Sequence, residues 1–131
     1  MKKLFLIFAS IFGAIAVIAG AILSHQLKTR MPANALEVYE TAVRYQFYHV
    51  FALFATGILS ERFYGNWINR AGTCFIAGIL LFSGSLYIIS ILITNAVSVP
   101  LFLGMLTPLG GLAFISGWIF LSIALLKGQS S

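Results

Sequence analysis

Glu40 and Arg44 stand four residues apart in the stretch ETAVRYQFYHVFALF, residues 40–54, in the order that favours an ion pair on one helix face. Thr41, Tyr45 and His49 form a second row at the same spacing, placed to hydrogen-bond a neighbouring helix. Gln46 lies between the rows, and a second histidine, His25, precedes them. Two imidazoles on different helices could ligate a haem or a metal, although no third or fourth ligand accompanies them. The same groups could hold a lipid headgroup or a quinone, or line a small permeation path. Catalysis lacks a motif: there is no Ser-His-Asp order, no H-E-x-x-H, no G-x-S-x-G and no Walker glycine loop. The plainest role for these residues is to seal the mouth of a helical bundle and fix its register.

The elements that must position them are membrane helices. Of 131 residues, 60% are hydrophobic and only 8% charged, with mean hydropathy +1.01. A soluble domain carries roughly a quarter charged residues, so the bilayer is the natural solvent and the first partner. The eight Lys/Arg against three Asp/Glu are scattered over loops and ends, without the basic, aromatic-interleaved cluster that nucleic acid would need. Cys74 is the single cysteine, so no intrachain disulfide can form.

Four spans are predicted in one domain, residues 1–131. The first, 4–24, is a charge-free run after Lys2 and Lys3, long enough to cross. A secretory signal peptide is the rival reading, but the apolar core exceeds the usual ~7–15 residues and further spans follow. The second helix is expected from Asn34, with Asn34 and Glu37 as a capping pair behind Pro32. Leu36, Tyr39, Val43, Phe47 and Val50 form its apolar face. Residues 34–44 then start in the interface, and 41–60 is the membrane portion. A loop with Tyr64 and Trp67 at the headgroup boundary leads to the third span, 71–93. For the fourth, Thr107 reads as N-cap and Pro108 as the first helical residue, giving 108–126 and leaving 98–106 as an interfacial or re-entrant segment. The alternative is one helix from Leu101, kinked at Pro108.

Lys2, Lys3, Arg62, Arg70 and Lys127 fall on one side of such a bundle, and Lys28, Arg30 and Arg44 on the other, which favours cytoplasmic termini. Alternating passes bring His25, Glu40, Thr41, Arg44, Tyr45, Gln46 and His49 into the same half as Tyr87, Ser90 and Thr107, with Ser83 and Ser85 somewhat deeper. Two small-residue stripes, Gly13/Ala16/Gly20 and Gly110/Ala113/Gly117, suit close helix packing and are expected to face each other or a neighbouring subunit.

Four ordered blocks, GAILSHQL, YETAVRYQFYHVFAL, LFSGSLY and LTPLGGLAFISGW, resemble the signature of a small four-span family of uncharacterised function with YgdD- and YwdK-like bacterial members and an animal transmembrane relative. The first block departs slightly, with Ile22, Leu23 and Ser24 where a more Gly/Ala-rich run is usual. The resemblance implies a bacterial inner-membrane location and a four-helix fold, and brings no activity or cofactor. The expectation is therefore an all-α integral membrane protein, not an enzyme, with a structural or auxiliary role, alone, as a homo-oligomer or in a larger complex. The alternative is a small binder or conduit for a lipid, quinone, ion, metal or haem.

Overall fold

A computed structural model describes residues 1–63 and 65–128. All regular structure among them is helical: α1 (Lys2–His25), a short 3-10 turn (Leu27–Thr29), α2 (Ala33–Leu59), α3 (Asn66–Gly78), α4 (Gly84–Thr94) and α5 (Leu101–Lys127). A π-helical turn, Ile79–Ser83, joins α3 to α4, so that Asn66–Thr94 forms one continuous rod. Three helices, α1, this rod and α5, are long and apolar enough to cross a membrane. At 27 residues α2 is as long as α5. It is less apolar because Arg44, Gln46 and His49 interrupt it.

Small residues set the packing. α1 buries Phe5, Ala9, Phe12, Ala16, Ala19 and Leu23, at alternating four- and three-residue steps. This is the seam of a left-handed helix pair. Its partner is α2: a Cβ on Gly13 would touch Val50 at 3.4 Å, and one on Gly20 would touch Val43 at 3.9 Å. α2 presents Ala35, Tyr39, Ala42, Gln46, His49, Leu53 and Thr56 inward in the same rhythm. On its far side α2 packs on the α3–α4 rod, which in turn carries α5. The α5 register is uniform. Ser85 faces Thr107, Phe82 faces Gly110, Gly78 faces Phe114 and Phe75 faces Gly117. The two stripes therefore do not face each other. Gly13, Ala16 and Gly20 face α2, while Gly110 and Gly117 receive Phe82 and Phe75, with Ala113 half-buried beside them.

Two expected boundaries are corrected. α2 starts at Ala33 after Pro32, and the Asn34–Glu37 capping pair does not form; Asn34 Oδ1 instead accepts the Ala35 N–H at 3.0 Å. Thr107 is not a cap, because α5 runs unbroken from Leu101 through Pro108. Residues 101–106 are thus its first turns, and no separate segment exists there. Proline has no N–H to give the Gly104 carbonyl and its ring crowds that carbonyl, yet it is accommodated because it lies exposed and Gly104 has open space where a side chain would be. Tyr64, expected at the headgroup boundary, lies outside the described residues. Gly65, at φ +130°, supplies the turn into α3 that a side chain would resist.

Candidate functional site

Gln46 is 2% exposed and ties three elements together. Its Nε2 donates to the Phe12 carbonyl of α1 at 2.8 Å, and its Oε1 accepts the Tyr87 hydroxyl of α4 at 2.6 Å. Two turns nearer the start of α2, the Tyr39 hydroxyl donates to the Ala19 carbonyl at 2.8 Å, and its ring meets Tyr87 edge-on at 5.2 Å. Ser83, in the π turn, donates across to the Ala42 carbonyl at 2.8 Å.

His49 sits one turn beyond Gln46 and is 5% exposed. The Trp118 indole N–H of α5 donates to its Nε2 at 3.1 Å. That bond makes Nε2 the acceptor, so the proton lies on Nδ1 and is donated to the Tyr45 carbonyl at 2.7 Å. The ring stacks on Phe114 at 3.5 Å and 8°, with Phe75 at 5.8 Å. Such an imidazole is neutral, has no free lone pair, and could reach a metal only by giving up Trp118. Ser85 and Thr107 share a hydrogen bond of 2.6 Å between the rod and α5. Among the described residues every buried side-chain nitrogen and oxygen has a partner.

The other expected members lie apart. Arg44 and Tyr45 are exposed and Glu40 is half-buried; neither Glu40 nor Arg44 enters an ion pair. The only ion pair among the described residues joins Lys2 to Glu61. Thr41 folds back on the Glu37 carbonyl of its own helix at 2.8 Å. His25 is exposed at the end of α1. Since Gly13 faces Val50 and Gly20 faces Val43, His25 is level with about residue 38 of α2. His49 is therefore about 16 Å further along the axis, at 1.5 Å per residue. The two histidines cannot share a ligand. No group of three or more His, Cys, Asp or Glu able to hold a metal occurs among the described residues.

The sequence reading missed Trp118, and it placed Tyr39 correctly on the inward face but without its hydrogen bond. A tryptophan within a span whose N–H needs an acceptor was the signal for the first. The alternating four- and three-step run through Tyr39, Gln46 and His49 was the signal for the second.

What surrounds His49 is a cleft of about 350 Å³ between α2 and α5, lined by Tyr45, Phe82, Gly111, Phe114, Ile115 and Trp118. It opens sideways, towards what would be lipid.

Residues 19–111, most of the chain, match the family described as "Protein of unknown function (DUF423)". The chain belongs to the DUF423 family. The resemblance to YwdK-like proteins is shown by its relatives. The UPF0382 membrane protein YwdK of Bacillus subtilis is 40% identical over 126 residues, covering 95% of this chain and 98% of that one. A UPF0382 membrane protein of Staphylococcus aureus is 42% identical over 125 residues, covering 95% and 97%. One of Haemophilus influenzae is 32% identical over 130 residues, covering 99% of both. No solved structure matches. This DUF423 chain is thus a helical membrane protein of an uncharacterised family, and its neutral, fully bonded interior is the feature that any function must accommodate.

Proposed function

We propose that this DUF423 protein is a four-pass protein of the bacterial inner membrane with cytoplasmic termini and a structural or auxiliary role. It stabilises the membrane, self-associates, or accompanies a larger membrane complex, and it carries out no catalysis. One observation carries this reading. Gln46 and His49, the buried groups best suited to chemistry, commit their polar atoms to carbonyls and to hydroxyl and indole donors within the bundle. Interhelical hydrogen bonds of this kind hold membrane helices together. The alternative, an interior site for a quinone, ion, metal or haem, would need those bonds broken first.

Four passes are supported by α2, whose 27 residues run antiparallel to α1 in constant register. The orientation is supported by the basic residues. Lys2 pairs with Glu61, and Arg70 and Lys127 lie over the Trp67 ring at 4.9 and 5.1 Å, so they gather at one end. That end would be cytoplasmic by the positive-inside rule.

Reporter fusions at the C-terminus and within residues 28–34 test the orientation: the first is expected inside and the second outside, and an external C-terminus overturns it. Absorbance and metal analysis after mild detergent purification test the role. A haem, quinone or metal retained at one per chain, and lost in His49→Leu, would replace the packing role with a binding one.

A further inference from the structure

The outer face of α2 carries three donor side chains for which the described residues supply no acceptor. They are the Arg44 guanidinium and the Tyr45 and Tyr48 hydroxyls, all on exposed residues. The nearby carboxylates of Glu37 and Glu40 do not take up Arg44. Register with α1 puts Arg44 level with about residue 19, hence about 9 Å below the end of α1 at 1.5 Å per residue. Helical side chains lean towards their own N-terminus, so this arginine reaches back towards the near headgroups. A cation at that depth needs an anion, and five fixed N–H groups match phosphate oxygens.

Tyr45 is also the upper lip of the side cleft, and its ring meets Tyr48 at 5.6 Å and Phe82 at 4.9 Å. From Gly111 to Trp118 the cleft descends about 10 Å along α5, away from Arg44 and towards the bundle centre. Its walls are apolar, and Gly111 leaves one of them open: an added Cβ would meet only Phe82 Cδ2, at 3.9 Å. A phosphate-binding head above an apolar slot is the shape of a diacyl phospholipid standing in its leaflet.

We propose that the α2–α5 side cleft is a specific phospholipid site, with the headgroup phosphate on Arg44, Tyr45 and Tyr48 and one acyl chain against Gly111 and Trp118. The site lies outside the bonded interior and does not depend on its packing role. A phospholipid brominated on its acyl chains tests it, added to detergent-purified protein in which Trp67→Phe leaves Trp118 as the sole tryptophan, excited selectively over tyrosine. Quenching should saturate at one lipid per chain. Arg44→Gln should weaken binding by about tenfold or more, and Arg44→Lys by less, since the charge stays while the forked geometry goes. Gly111→Leu should abolish quenching by filling the slot. Should that variant melt early, Ile115→Phe narrows the same slot from an exposed position without adding a tryptophan. Equal quenching by brominated diacylglycerol, which lacks the phosphate, overturns the proposal, as does indifference to Arg44→Gln.

Discussion

Gly110 and Gly111 are adjacent in sequence and should respond in opposite ways to the same methyl group. A Cβ on Gly110 would lie 2.8 Å from both Cα and Cβ of Phe82, and closer still to its backbone nitrogen. No rotamer change relieves a clash with backbone, so α5 and the rod must separate by roughly an ångström, given ordinary carbon contacts of ~3.5–4.0 Å. Separation also stretches the Ser85–Thr107 bond, at 2.6 Å, about one turn away. Overpacking of this kind costs about 1–3 kcal/mol. At this chain length the Tm of Gly110→Ala should fall by roughly 4–12 °C, taking about 4 °C per kcal/mol. Gly111→Ala places its methyl in ordinary contact and gains helix propensity, so its Tm should hold or rise slightly. The assay is the circular dichroism melt of both variants in one detergent. Equal melts, or a larger loss for Gly111→Ala, would refute the helix register on which the whole α5 interface rests.

Two further expectations concern polar groups. Gln46→Leu strands the Tyr87 hydroxyl and removes the added bond to the Phe12 carbonyl, and should cost about 1–3 kcal/mol, while adding Tyr87→Phe should recover part of that loss; chemical denaturation in mixed micelles measures both. Glu40→Gln and Arg44→Gln should act additively in a double-mutant cycle, with coupling below ~0.5 kcal/mol, because the side chains are unpaired and Arg44 is exposed.

The helical class and the long apolar elements were legible because charge-free runs of membrane length have few other uses. The stripes were legible as packing surfaces, since glycine and alanine at helical spacing let backbones approach. Their partners were not, because contact between helices depends on the order of assembly in space. The inward face of α2 was legible in part: Tyr39 and Val50 are buried and Leu36 and Val43 pack against the core, with Gln46 and His49 buried beside them. In lipid an aliphatic side chain gains little by burial, whereas Gln46 and His49 need hydrogen-bond partners, so both take inward positions. The interior was therefore chosen by hydrogen bonding. Glu40 and Arg44 had the right spacing for each other, yet an interfacial arginine has water and phosphate as competing partners. Pro108 was read as a start signal by soluble-helix rules, which do not anticipate a glycine one turn earlier.

The bond between Gln46 and Tyr87 spans 41 residues, and this separation sets a timetable for biogenesis. As Gln46 leaves the ribosome, the Phe12 carbonyl is already available to it, but Tyr87 has yet to emerge. At ~5–20 residues per second the amide oxygen waits roughly 2–8 s for its second partner. In the four-pass reading, α2 is the least apolar pass and packs between α1 and the rod, so during that interval it is held by α1 alone. A chain truncated before α4 would leave the Gln46 amide oxygen without its partner, so arrival of α4 is the step that completes the bonding of the interior.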